Sequence, residues 1–111
     1  MGGGTPDMFA EALASLHEAW KAAGRDGRPQ TMVLFYFALG DDGAEVAARN
    51  LGDYYGFLGD YASMVIDSAA TDAGTVRAYL EAFEQAGCDE VICFPANPDP
   101  AQVDLLAEAA L

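Results

Sequence analysis

Two nearly uninterrupted apolar runs, Thr31–Leu39 and Glu90–Pro95, constrain this chain more than any other feature. The first reads Thr-Met-Val-Leu-Phe-Tyr-Phe-Ala-Leu, and the second carries Val91-Ile92-Cys93-Phe94 at its centre. A strand with one wet face alternates apolar and polar residues. These runs do not alternate, which predicts strands covered on both faces, as in parallel sheets flanked by helices. About fifty residues separate them, enough for a helical, right-handed crossover between parallel strands. Two strands cannot close a sheet or cover their own edges. The pattern therefore predicts either part of something larger or a chain completed by another copy.

The segments around the two runs read as helices. Thr5 is placed to cap the first helix, with Pro6 at its first position, where a missing N–H is harmless. Phe9, Leu13, Leu16 and Trp20 follow at helical spacing and predict one inward face. Gly24 is placed to end that helix. After Gly40-Asp41-Asp42, Asp42 and Glu45 have the spacing of a capping box. A long helical stretch runs from Ala44 to about Ile66, but Gly52, Gly56 and Gly59 weaken it. A break near Gly56 to Gly59 is expected, and the aromatics between Tyr54 and Tyr61 suggest a second packing partner. Thr71 is the expected cap of the next helix, which turns Val76, Leu80 and Phe83 inward and ends at Gly87. Asp99 as cap, Pro100 as first residue and Gln102 as box partner open the last helix, with Val103, Leu106 and Ala110 expected inward. The order is α-β-α-α-β-α, in one partial α/β domain spanning residues 1–111.

Composition removes several function classes. The 111 residues carry 18 Asp+Glu against 5 Lys+Arg, a formal net charge of −13. Nucleic acids and anionic membrane surfaces repel such a chain. With 52% hydrophobic residues, it fits a soluble globular domain and not an acidic disordered tail. No apolar run approaches the roughly 20 residues of a membrane span, and Met1–Asp7 does not resemble a secretory signal, so a cytoplasmic location is expected. Cys88 and Cys93 are too few for a disulfide framework and read as packing residues. No His/Cys cluster or calcium-loop spacing appears, so no metal site is expected. His17, the only histidine, falls mid-helix and reads as a surface residue.

The residues from Gln85 to Pro95 resemble the final helix-to-strand step of the luciferase-like monooxygenases, a family of flavin- or deazaflavin-dependent (β/α)8 barrels. The resemblance rests on Gly87, the acidic pair Asp89-Glu90, and the strand Val91-Ile92-Cys93-Phe94 ending in Pro95. Asp99-Pro100-Ala101-Gln102-Val103-Asp104-Leu105-Leu106-Ala107 is similar to that family's closing helix. Gly24-Arg25-Asp26-Gly27-Arg28-Pro29 before an apolar strand fits as well, as does Tyr36-Phe37-Ala38-Leu39-Gly40-Asp41-Asp42 leading into a helix with Tyr54-Tyr55-Gly56. The resemblance implies that Thr31–Leu39 and Glu90–Pro95 are the seventh and eighth strands of a TIM barrel. The chain would then be the C-terminal fragment of that barrel. A complete barrel takes roughly 250 residues, so the first six strands would be missing. The family's catalytic histidine and most of its flavin-positioning residues would be missing with them, leaving no catalytic residue to assign.

The expected function is therefore the C-terminal part of a flavin- or deazaflavin-dependent oxidoreductase or monooxygenase, inactive by itself. FMN or the deazaflavin coenzyme F-420 is the cofactor implied by resemblance. The alternative is a non-catalytic assembly module that completes its sheet through a homo-oligomer or a partner chain. Barrel chemistry sits at the carboxyl ends of strands, which here are Leu39-Gly40-Asp41 and Phe94-Pro95-Ala96-Asn97. Gly2, Gly3, Gly4 and Thr5 run into a helix N-terminus, a place where phosphate can bind free N–H groups. They are the candidate cofactor-binding residues.

Overall fold

The computed structural model describes residues 4–111. Gly2 and Gly3, two of the candidate phosphate-binding residues, lie outside the described residues. Along the chain come α1 (Pro6–Ala22), β1 (Met32–Phe37), α2 (Gly43–Tyr55), a 3-10 turn (Gly56–Leu58), α3 (Asp60–Ser68), α4 (Ala73–Gln85), β2 (Glu90–Pro95) and α5 (Ala101–Ala110).

β1 and β2 are parallel neighbours, in register from Met32 opposite Glu90 to Phe37 opposite Pro95. The connection between them carries α2, α3 and α4, as a parallel pair requires. One bridge extends the sheet at the other edge of β1. The Ala38 N–H donates to the Ala70 carbonyl at 3.0 Å, and the Ala70 N–H donates to the Tyr36 carbonyl at 2.8 Å.

The odd-numbered face of β1 forms the main core. Val33, Phe35 and Phe37 meet Phe9 of α1, Val76 and Phe83 of α4 and Ala109 of α5. Phe83 is the hub, with Phe9 edge-on at 5.7 Å and Phe35 stacked at 6.3 Å between ring centres. Val91 and Cys93 of β2 join from the same side. Burial of each large side chain contributes about 1.5–3 kcal/mol. A second cluster sits at the carboxyl ends of the strands, where Leu51 of α2 and Val65 of α3 close over Ala38, Ala47, Ala69 and Ala96. Gly43 permits that approach, since a Cβ there would stand 2.3 Å from the Ala38 carbonyl oxygen.

The expected two-sided burial holds for one side only in β1, and in β2 the odd-numbered Val91 and Cys93 are half-buried with no residue fully buried. The even-numbered face carries Met32, Leu34 and Tyr36 beside Ile92 and Phe94 of β2. Met32 and Phe94 are each 49% exposed. Helices α1, α4 and α5 share the odd face, while α2 and α3 pack at the strand ends, so the even face is only partly covered. The molecule is correspondingly flat, 48 × 35 × 19 Å. Its radius of gyration, 15.3 Å, exceeds the ~13 Å expected of a compact chain this long.

The amino ends of the strands are joined by an ion pair. Arg28 donates two hydrogen bonds to Asp89, at 2.6 and 3.1 Å, and the Thr31 N–H donates to the same carboxylate at 2.8 Å. Asp89 thereby links the segment before β1 to the turn before β2. The Arg28 side chain first, then the Thr31 N–H, holds the Asp89 pKa down from 3.8 to about 2.

Several local expectations stand and several need correction. The long helix breaks where the glycines predict, at a 3-10 turn followed by Gly59 with φ 60°. Gly24 ends α1 with φ 71°. The cap of α4 is Asp72, not Thr71. Its carboxylate accepts from the Thr75 N–H at 2.7 Å, a bond the Thr71 side chain is one residue too early to make. Asp42 precedes α2 without a side-chain capping bond, so no capping box forms with Glu45. In α1, Phe9 is buried and Leu13 half-buried, but Leu16 is exposed because the helix runs past the sheet. In α5, Val103 is 68% exposed and Ala110 is exposed; Gln102 and Ala109 take the inward positions.

Candidate functional site

The carboxyl ends of β1 and β2 gather the polar and aromatic groups that the core leaves unused. Just past β1, Leu39 is held by α5. Its N–H donates to Gln102 Oε1 at 2.8 Å, and Gln102 Nε2 donates to its carbonyl at 2.9 Å. Gln102 therefore does not return to Asp99 as a capping-box partner. Helix α5 begins at Ala101 with Pro100, not Asp99, at its N-cap and no side-chain capping bond. The Asp99 carboxylate accepts from the Ala101 N–H at 2.9 Å and its carbonyl from the Gln102 N–H at 3.0 Å in the turn before it. Just past β2, the Ala96 carbonyl accepts from Asn50 Nδ2 of α2 at 2.8 Å. These bonds fix both strand exits against helices.

Beside them lies an open cleft of about 270 Å³, lined by Tyr36, Asn50, Leu51, Tyr54, Tyr55, Phe94, Pro95 and Ala96. Tyr36 comes from the last turn of pleat in β1, with its ring on the uncovered face. Its hydroxyl hydrogen-bonds that of Tyr55 on α2. Tyr36 also lies edge-on to Phe94, 5.6 Å away at 79°. Tyr54 and Tyr61 flank Tyr55 at 4.8 and 6.0 Å. Burial first, then the Tyr55 hydroxyl and the neighbouring phenols, keeps Tyr36 protonated far above the usual phenol range. This hydroxyl is a hydrogen-bonding group at neutral pH and not a base.

A second, larger cleft lies on the other side of the β2 exit, between Cys93, Ala96–Pro100 and α5, with Leu106 and the exposed Val103 on its wall. Cys93 faces it half-buried, and burial pushes its thiol pKa up, which leaves a packing role and no reactive thiolate. Cys88 donates its S–H to the Glu90 carbonyl at 3.2 Å.

The other sequence candidates fall elsewhere. Thr5 does cap α1, accepting from the Met8 N–H at 3.4 Å, so its hydroxyl is already engaged. Gly4 precedes it with φ 122°. One turn further on, Phe9 lines a cleft with Gln30, Thr31 and Met32, which lie at the amino end of β1. That is the end of the sheet remote from Gly40, Asp41 and Asn97. Asp41 is exposed, and the Asn97 Oδ1 accepts from the Asp99 N–H at 2.9 Å in a turn. His17 is exposed on α1. Among the described residues no three His, Cys, Asp or Glu side chains converge as a metal site, and no helix is long and apolar enough to cross a membrane. The tyrosine contact was missed from sequence. Its signal was Tyr36 on the even face of β1, paired with a tyrosine doublet one helix later.

No family model, curated protein or solved structure matches this chain. The described residues form a small α/β unit of five helices and a two-stranded parallel sheet, with partly exposed apolar side chains on one sheet face and more exposed ones at the α2–α3 turn.

Proposed function

We propose that this chain is the C-terminal portion of a luciferase-like (β/α)8 barrel, an FMN- or deazaflavin-dependent oxidoreductase, and that it does not turn over substrate by itself. One observation carries the reading: a parallel strand pair has helices over one face and an apolar, partly exposed row on the other. Met32, Leu34, Tyr36, Ile92 and Phe94 make that row, with the exposed Glu90 opposite Met32 at its amino end. In a closed barrel, alternate side chains of every strand point to the helices and to the lumen. Val33, Phe35, Phe37, Val91 and Cys93 would be the helix-facing set, and the exposed row the lumen-facing set. On this reading Gly40, Asp41 and the Phe94–Asn97 segment, at the carboxyl ends, border the cofactor chamber. The remaining walls come from strands supplied elsewhere. Titration of the purified chain with FMN and with the reduced deazaflavin tests it. The expected result is no stoichiometric binding and no turnover; tight binding with turnover overturns it.

A second reading is an assembly module that buries the same row against a copy of itself or a separate chain. The exposed Tyr54, Phe57, Leu58 and Tyr61 around the α2–α3 turn favour it, Phe57 being 82% exposed. Sedimentation of the purified chain separates the two. A concentration-dependent oligomer supports assembly, and a folded monomer at micromolar concentration counts against it.

A further inference from the structure

The cleft at the strand ends has a chemistry of its own. Tyr36, Tyr54, Tyr55 and Phe94 contribute rings to its wall. The Tyr36 and Phe94 rings cross at 79°, Tyr36 and Tyr55 at 72°, and Tyr54 and Tyr55 at 78°. Rings that cross at such angles cannot lie face to face, so ring surface remains on the wall of the hollow they line. A ring face attracts a cation, and several together favour one whose charge is spread over methyl groups.

The charge character of the cleft narrows its occupants. The hydroxyls of Tyr36 and Tyr55 bond each other, and Asn50 Nδ2 is spent on the Ala96 carbonyl. No cationic side chain lines the cleft, so an anion finds no partner. No carboxylate lines it either, so a primary ammonium, which holds its water tightly, finds no anionic partner there. A methylated ammonium has no N–H to satisfy and only weakly held water to shed.

The surroundings add attraction. The chain carries a net charge of −13. Among the described residues one ion pair forms, Arg28 with Asp89, at the opposite end of the sheet. Asp53 and Asp60, next to Tyr54 and Tyr61 in sequence, are exposed and outside any ion pair. The negative field around the cleft raises the local concentration of cations. The one cation stacked on a ring among the described residues is Arg25 over Trp20, at the end of α1, so the tyrosine cleft is not filled from within.

We propose that this cleft binds a methylated ammonium group, held by the rings of Tyr36, Tyr54, Tyr55 and Phe94. Tyr36 and Phe94 also belong to the row that the barrel reading turns to the lumen, so the proposal is tested on the isolated chain, where that row is uncovered.

Ring proton signals of the purified chain, followed during titration, test it. The probes are choline, its uncharged carbon analogue 3,3-dimethylbutan-1-ol, and a peptide carrying one trimethyl-lysine. Saturable shifts of the four cleft rings with choline are expected, with the uncharged analogue about fivefold weaker, the weight of one partly exposed cation–π contact. Tyr54→Leu removes a ring that is 71% exposed, so the fold is retained, and it should weaken choline binding by a similar factor. Choline binding tighter than the peptide assigns a small-molecule ligand. The reverse assigns a methylated protein side chain, and either result upholds the chemistry. Equal binding of choline and the uncharged analogue, or no saturable shift of the cleft rings at tens of millimolar choline and with the peptide, overturns it.

Discussion

Gln102 and Leu39 face each other like two strands of a sheet. The side-chain amide of Gln102, at 4% exposure, satisfies both backbone groups of Leu39 where β1 leaves the sheet. A single side chain thus ties α5 to the exit of β1 and removes two buried polar groups from the account. Gln102→Leu keeps the volume and leaves both Leu39 groups unpaired, which should lower stability by about 2–4 kcal/mol. Urea denaturation measures it. Gln102→Glu keeps the acceptor and loses the donor. It should recover part of that loss only at acid pH, where a protonated carboxyl can donate to the Leu39 carbonyl.

Asp89 binds Arg28 and Thr31 at the other end of the sheet, and its pKa of about 2 lies below the ordinary 3.8. A carboxylate depressed by folding adds stability that is fully present above its unfolded value and fades as pH falls toward the folded one. Asp89→Asn should therefore be less stable than the native chain at neutral pH. The difference should shrink between about pH 4 and pH 2. Urea midpoints across that range check the sign; a constant difference would contradict the assignment of Asp89 as the titrating group.

Gly43→Ala tests the approach of α2 to the strand end. The new methyl would overlap the Ala38 carbonyl, which is backbone and cannot swing aside. Overpacking of this kind costs about 1–3 kcal/mol. The loss should appear as a lower thermal midpoint and as faster amide exchange in α2.

Phe83→Ala removes the ring that Phe9, Phe35 and Tyr79 surround. A cavity at a fully buried site costs about 3–5 kcal/mol, a large part of the ~5–15 kcal/mol that holds a domain together. The variant should be largely unfolded at 37 °C by circular dichroism, whereas Val103→Ala on the exposed side of α5 should change stability by less than about 0.5 kcal/mol.

The parallel strands and the helix break were legible because they rest on local chemistry. Continuous apolar runs need helices beside them, and Gly56 and Gly59 interrupt any helix. What sequence could not show is which face the helices choose. Met32, Leu34 and Tyr36 are as apolar as Val33, Phe35 and Phe37, so the runs look two-sided although one side is partly bare. Gln102 misled for a related reason. Three residues after Asp99 is the place of a capping partner, and nothing local reveals a backbone waiting at Leu39, more than sixty residues earlier. At the strand ends, Phe94 to Asn97 could be placed from the pattern. The even-face Tyr36 and the later tyrosine doublet name the partners of the Tyr36–Tyr55 contact, but their meeting depends on where α2 lands.

The proposed function has this sheet continued by further strand–helix units of the same barrel. The most direct measurement is to sequence the DNA upstream of Met1 and translate it in frame. The account predicts an open frame encoding six more strand–helix units that end near Gly2. A stop codon just upstream of Met1 would contradict it.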